Sequence, residues 1–371
     1  MVNQDRLVNE FLELIQIDSL SSKEGQVAKV LIQKLKDLGL EVTVDNAGEK
    51  IGGETGNVIA RKKGTKSGKT ILFSCHMDTV TPGEGIKPII KEGVIYSDGT
   101  TILGGDNKAG IAAVLEGLRI IKENNIEHGD IEVVFSIWEE GGLFGAKNLD
   151  YSLLKADYGF VLDSGGSPGE IIITGPAQDK VNATIKGKSA HAGVAPEEGV
   201  SAIMIAARAI NNMNLLRIDE ETTANVGVIS GGTATNIVTP EVQVKAESRS
   251  INEAKLDAQT KHMMEVFQKA AEELGGSVEL DIERMYPPFN IGEDEEIVIK
   301  VKEVFTALGI ESYTKATGGG SDTNILNGNG IKSVNLGIGE KKPHTLEEHL
   351  HIVDLVNSAR MVSQIIQTFA N

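Results

Sequence analysis

The sequence predicts an α/β layered fold carrying an inserted α+β unit, and three observations lead there. Amphipathic helical periodicity alternates with short, uniformly apolar runs over the first 160 or so residues. Between about residues 177 and 286 the rhythm changes to β-α-β-β-α-β. After Phe289 the helix and strand alternation resumes.

The first forty residues place Leu7, Phe11, Leu14 and Ile15, then Val27, Val30, Leu31, Leu35 and Leu38, at helical spacing, and Gly39 stands where a C-terminal cap is needed. Short β-rich runs follow at 41–44, 57–60 and 70–75. A helix is expected from about Asn107 to Lys122, with Ile111, Val114, Leu115, Leu118 and Ile121 on one face. The apolar runs 131–138 and 158–162 read as strands buried on both sides. In the inserted stretch the expected order is strand 178–186, helix 199–214, strands 223–230 and 241–250, helix 253–274 and strand 276–284. This is the split-βαβ, ferredoxin-like unit, bracketed by the turns Gly175-Pro176 and Tyr286-Pro287-Pro288. The chain closes with a helix near 294–308, the turn Gly318-Gly319-Gly320, a strand at 333–336 and a helix near 353–369. The expected domains are thus 1–176 with 287–371, and 177–286.

Composition limits function. The 371 residues carry 53 acidic side chains against 36 Lys and Arg, a formal charge of −17. Such a balance repels phosphate backbones and anionic lipid, so neither nucleic acid nor a membrane surface is an expected partner. The single cysteine, Cys75, excludes an intrachain disulfide. Charges interrupt the N-terminal segment, which lacks the apolar core of a signal peptide, and a cytoplasmic protein is the expectation.

Chemistry concentrates at the ends of the apolar strands. Residues 71–75 run into His76-Met77-Asp78, a potential metal-binding histidine with an acceptor spaced to hold its second ring nitrogen. Asp106 follows the tight turn Gly104-Gly105 at the head of a helix. The run 131–138 leads into Glu139-Glu140-Gly141-Gly142, and 158–162 into Asp163-Ser164-Gly165-Gly166. Ligands bind at the carboxyl edge of open α/β sheets. An isolated His-x-Asp or Glu-Glu pair is ordinarily a surface feature, but recurrence at several strand ends points to one site. Carboxylates beside buried strands would each incur several kcal/mol of desolvation unless a cation or hydrogen bonds compensated. Nitrogen and oxygen donors without a thiol cluster suit zinc, with manganese or cobalt as substitutes. His76, Asp106, Glu140, Asp163 and a late histidine exceed the needs of one catalytic zinc and fit two metals bridged by a carboxylate, leaving Glu139 as a base. The residue chemistry does not choose among His344, His349 and His351.

His76-Met77-Asp78, Gly104-Gly105-Asp106, Glu139-Glu140-Gly141, Asp163 and Pro343-His344-Thr345-Leu346-Glu347-Glu348 together resemble the co-catalytic zinc peptidases that include peptidase T, succinyl-diaminopimelate desuccinylase and the aminoacylases. The resemblance spans nearly the whole chain, in order, and is nearest to the peptidase T-like branch. It implies a catalytic domain with a mixed, largely parallel sheet flanked by helices, and an inserted ferredoxin-like lid domain through which relatives often dimerise. It further implies that His76 and Asp163 bind one zinc, Glu140 and His344 the other, and that Asp106 bridges them. Glu139 would be the general base, Asp78 the partner of His76, and His191, in Lys188-Ser189-Ala190-His191-Ala192-Gly193, an oxyanion donor. Asn236, in the segment 231–236, and Arg249 would grip a substrate carboxylate.

Two departures stand out. Asn107 replaces a common second acid after the bridging aspartate, at a place associated with a cis bond after Asp106, and Glu247 replaces the aspartate that usually precedes the lid arginine. Aspartate at position 163, where other members have glutamate, accompanies aminopeptidases and dipeptidases. The implied activity is hydrolysis of short peptides, tripeptides among them, with an N-acyl amino acid amidohydrolase as the alternative.

Other signals lead nowhere. Gly64-Thr65-Lys66-Ser67-Gly68-Lys69-Thr70 has three residues between its glycines where a phosphate-binding loop needs four, and it precedes a strand. Asp322, after the glycine turn, reads equally as a binding residue or a helix cap.

Overall fold

The computed structural model describes residues 1–370, which divide into two compact units. The first comprises Met1–Ile173, Ile291–Ala316 and residues 321–370, and the second Thr174–Asn290 with Thr317–Gly320. The boundaries therefore lie a few residues outside 177–286, and the glycine turn belongs with the inserted unit.

In the first unit a mixed sheet runs in the order Glu41–Val44, Val58–Lys62, Ile131–Ser136, Ile71–His76, Tyr158–Ser164, Lys332–Gly337 and Glu170–Gly175. Its centre is parallel: Ile71–His76 pairs in parallel with both Ile131–Ser136 and Tyr158–Ser164, which in turn pairs in parallel with Lys332–Gly337. Consecutive side chains face opposite layers, and both layers are covered. Leu72, Val134 and Val161 join Ile59, Leu149, Leu326 and Ile331 in one buried cluster. On the other side Phe73 and Phe160 lie 5.7 Å apart between ring centroids, and Phe160 meets Phe369 at 5.0 Å. Burial on both faces is why these strands read as uninterrupted apolar runs.

Helix Gly105–Glu123 packs on Ile71–His76 and Tyr158–Ser164 and against Ile352–Thr368 and Gln4–Ile15. Gly117 permits the helix contact, since a Cβ there would sit 2.4 Å from Val362 Cγ1. Gly39 ends Gly25–Asp37 with φ of 83°, its amide bonded to Lys36 O and that of Leu40 to Leu35 O. A small antiparallel sheet of Ile89–Lys91, Val94–Tyr96, His349–His351 and Glu340–Lys341 has strands too short for periodicity to announce.

The second unit is an antiparallel sheet in the order Leu216–Arg217, Thr222–Gly231, Glu241–Ser250, Ala177–Lys186 and Ser277–Tyr286. Helices Ala202–Asn212 and Glu253–Glu273 cover one face, enclosing Val181, Ile185, Ile205, Val244, Met263 and Phe267. The alternating burial of Glu241–Ser250 marks a sheet apolar on one face only. No helix among the described residues is long and apolar enough to cross a membrane.

Candidate active site

Parallel pairing aligns the carboxyl ends of the central strands, with His76 opposite Ser136 in register. Ile131–Ser136 ends earlier than expected. Ile137 follows, Trp138 adopts φ of 47°, and Glu139 and Glu140 begin a turn in which Glu139 O accepts from the amides of Gly142 at 2.9 Å and Leu143 at 2.7 Å. Asp163 lies within Tyr158–Ser164. Asp106 enters from the head of Gly105–Glu123, where Asp106 and Asn107 are non-helical and joined by a cis peptide, so the regular helix begins just after Asn107, close to the expected start. Gly110 allows this close approach, because a Cβ there would lie 2.3 Å from Asn107 Oδ1, 2.6 Å from Leu162 O and 2.9 Å from Cys75 Sγ.

These elements bring His76, Asp106, Glu140, Asp163 and His344 together. His76 Nε2 lies 2.9 Å from Asp106 Oδ1 and 3.4 Å from Asp163 Oδ1. His344 Nε2 lies 2.8 Å from Glu140 Oε1 and 3.2 Å from Asp106 Oδ2. Asp106 thus faces both imidazoles, one through each oxygen. His349 and His351 take no such place: His349 stacks on Tyr96 with centroids 5.4 Å apart, and His351 stands at the N-terminus of the last helix.

The nearest acceptor for His76 Nδ1 differs from the expected carboxylate. It is the backbone carbonyl of Asp78 at 2.9 Å, with Asp78 Oδ1 farther at 3.4 Å. A carbonyl only accepts, so Nδ1 carries the proton and the Nε2 lone pair of neutral His76 points at carboxylates that are themselves acceptors. That arrangement needs a cation or a second proton. Burial by itself would lower the basicity of His76, yet hydrogen bonds to Asp106, Asp163 and Asp78 outweigh it and raise its pKa well above the ordinary value. Hydrogen bonds to Asp106 and Glu140 likewise push His344 up to about 10. Burial pushes Asp163 up to about 7 and raises Glu140 and, more strongly, Glu139. A donor set that draws protons onto both imidazoles is one built to surround positive charge.

Supporting groups were not all legible. Asn107 Nδ2 donates to Asp163 Oδ1 at 2.5 Å, a bond that an ionised acid in its place could not make. Glu348 accepts from the amides of Leu103 at 2.9 Å, Gly104 at 3.0 Å and Asp106 at 3.2 Å, fixing the loop that carries Asp106. Lys108 is buried and donates to Ser19 Oγ at 2.7 Å; burial lowers its pKa to about 8. A lysine in an otherwise apolar helix pattern was the available signal for it. Asp322 caps nothing, because Ser321 is the helix cap; Asp322 is buried and accepts from Ser136 Oγ at 2.5 Å. Cys75 is buried and its thiol pushed up by burial, as befits a core residue.

In the second unit His191 is exposed on a loop that pairs with the segment of Asn236: the amide of Ala192 bonds Asn236 O at 2.9 Å. Arg249 is held in plane by Glu247, at 2.9 Å through Nε and 3.1 Å through a terminal nitrogen, and donates to Gly318 O at 3.2 Å. The glutamate that departs from the family pattern therefore orients this arginine.

Residues 72–368 match peptidase family M20/M25/M40. The chain is 49% identical over 370 residues to YqjE, an uncharacterized protein of Bacillus subtilis (strain 168), with 100% of both chains covered. It is similar to the solved structure of aminopeptidase PepT from Bacillus cereus ATCC 10987, with a TM-score of 0.93, 48% identity and 100% coverage of each chain. A tripeptidase from Staphylococcus aureus subsp. aureus Mu50 gives a TM-score of 0.97 at 45% identity, covering 100% of this chain and 99% of the other.

Proposed function

The chain belongs to peptidase family M20/M25/M40 and is a peptidase, and from that premise we propose that it is a two-metal aminopeptidase of the peptidase T type, releasing the first residue of short peptides, above all tripeptides. One observation carries the reading: ligand atoms of His76, Asp106 and Glu140 lie within 4.8 Å of one another, and His344 spans Asp106 and Glu140. Likeness to an aminopeptidase and a tripeptidase supports the choice of substrate.

Two imidazoles and three carboxylates without a thiol suit two zinc ions, with cobalt or manganese as substitutes. His76 and Asp163 are assigned to one ion, Glu140 and His344 to the other, and Asp106 to both. When bound, the ions supply Lewis-acid polarisation of the scissile carbonyl and acidify the attacking water. Glu139 takes the proton from that water and passes it to the leaving amine; burial makes its carboxylate a stronger base than an exposed one, the property this step needs. Asp78 keeps His76 in one orientation, and Asn107 does the same for Asp163. His191 is assigned as donor to the carbonyl oxygen as charge develops there. Arg249, its plane set by Glu247, and Asn236 are assigned to the far carboxylate, which restricts substrates to short peptides.

A homodimer through the second unit belongs to the same reading. Thr222–Gly231 pairs with Glu241–Ser250 along its length apart from a bulge between Val226 and Val228, but on its other side, among the described residues, pairing is confined to its first residues, Thr222 to Ala224, and Val228 and Ile229 are exposed. Sedimentation velocity tests this directly, with a monomer at micromolar concentration as the contrary result.

Mass spectrometry of products from matched tripeptides with free and acetylated N-termini tests the activity. Free tripeptides are expected to yield the first residue and a dipeptide, and acetylation to slow the reaction greatly. Rapid cleavage of N-acetyl amino acids with free peptides ignored would make the enzyme an N-acyl amino acid amidohydrolase instead.

A further inference from the structure

We infer that Glu24 is a positioning residue for the turn that carries the base: together with Asp78 it clamps the three successive amides of Trp138, Glu139 and Glu140. The inference rests on the roles proposed above for Glu139 and Glu140. Glu24 is fully buried just before helix Gly25–Asp37. Its Oε1 accepts from the amides of Trp138 and Ser22, each at 2.9 Å. Asp78 takes the next two amides of the turn, Glu139 at 2.9 Å through Oδ1 and Glu140 at 3.2 Å through Oδ2. The two carboxylates are tied together, since Ser21 Oγ donates to Asp78 Oδ2 at 2.6 Å from the residue next to Ser22. Ser19 anchors the start of this short strap, accepting from Lys108 Nζ at 2.7 Å and donating to Met77 O at 2.9 Å.

The turn needs such holding. An extended chain would alternate its side chains and send Glu139 and Glu140 to opposite faces. The left-handed φ of 47° at Trp138 breaks that alternation, at an energetic cost to a residue with a Cβ. Strained conformations persist where the surroundings over-determine them. The carbonyl of Trp138 is taken by the Phe144 amide at 3.1 Å, and Glu24 takes its N–H. Glu24 and Asp78 are like charges in a buried place, so an acid at position 24 is unfavourable on electrostatic grounds alone. What it supplies is an acceptor at the right point.

Both amides use Oε1, while Oε2 has no partner. A single carbonyl oxygen is therefore sufficient. Glu24→Gln keeps that oxygen in place, whereas Glu24→Asp withdraws it by about 1.5 Å, one carbon–carbon bond. The test compares Glu24→Gln, Glu24→Asp and Glu24→Ala for kcat, KM, metal content and amide hydrogen exchange across residues 137–143. Emission of Trp138, the only tryptophan of the chain, adds a spectroscopic readout of the turn itself.

Expected for Glu24→Asp and Glu24→Ala is a kcat lowered roughly 10- to 100-fold, the scale of a misplaced catalytic group. KM should stay within about 2-fold, metal content should be retained, exchange should quicken and Trp138 emission should shift; Glu24→Gln should rescue all of these. Unchanged kcat and exchange in Glu24→Asp, or a Glu24→Gln variant as impaired as Glu24→Asp, would overturn the inference. Should Glu24→Ala not fold, the other two variants decide. A parent enzyme that hydrolysed no peptide would refute the peptidase reading alone, and the exchange and emission comparison would still decide the clamp.

Discussion

The carboxylate of Asp78 accepts the amide of Glu139 at 2.9 Å, so the residue expected to orient a metal-binding histidine also fixes the proposed base. Asp78 is fully buried and receives Ser21 Oγ and the Glu140 amide as well. Although burial opposes ionisation, its bonds to His76, Ser21 and Glu139 hold its pKa below the usual carboxylate value. One residue, its backbone carbonyl at His76 and its carboxylate at Glu139, thereby couples the His76 strand end to the Glu139 turn.

Replacing His344 with alanine should cost metal, whereas His349→Ala and His351→Ala should not, because only His344 meets Asp106 and Glu140. Elemental analysis of the three purified variants checks this. Equal loss in all three would mean that the C-terminal ligand lies elsewhere.

For His191→Ala, turnover should fall by about 10²- to 10³-fold with metal content unchanged, as expected on removing an oxyanion donor. Steady-state kinetics beside elemental analysis gives the answer. A normal turnover would leave His191 as a loop residue.

Gly110→Ala should destabilise the fold by about 1–3 kcal/mol, the usual cost of overpacking. The added Cβ would fall within 3 Å of Asn107 Oδ1, Leu162 O and Cys75 Sγ, two of them polar atoms of the site's framework. Urea denaturation measures the loss, and a fall in metal affinity should accompany it because Asn107 holds Asp163.

Much of this was legible in the sequence, and the reasons for the remainder are physical. The central strands announced themselves because both faces are buried, and the inserted unit because its strands alternate on one face. His76, Asp106, Glu140, Asp163 and His344 could be picked out since each stands beside an abrupt change from apolar run to glycine turn, or in a spacing shared with known peptidases. The resemblance to that family holds. The bond from Nδ1 of His76 to the Asp78 carbonyl was hidden, because backbone acceptors leave no mark on composition. Glu24 lies in a polar loop and acts on an amide far away in the chain, so no local pattern singles it out; Glu348 stands in the motif that carries His344, but its amide partners, Leu103, Gly104 and Asp106, could not be read from that motif.

Stability of the chelator-treated protein should depend on Glu24. Burial, reinforced by Asp78, raises its pKa from 4.5 to about 7. A carboxyl raised on folding contributes stability that is fully present below its unfolded pKa and lost as pH rises through the folded one. The loss attributable to Glu24 should therefore develop between about pH 4.5 and 7 and amount to about 3 kcal/mol. Denaturation at several pH values should show a smaller decline for Glu24→Gln than for the parent; identical profiles would count against a strongly perturbed Glu24.

Elemental analysis paired with turnover for Glu139→Gln and Glu140→Gln tests the central claim most directly. With Glu139 as base and Glu140 as ligand, Glu139→Gln should keep two metals per chain while turnover drops about 10²- to 10⁴-fold. Glu140→Gln should lose metal together with activity. Metal lost from Glu139→Gln and kept by Glu140→Gln would contradict the account by reversing the two roles.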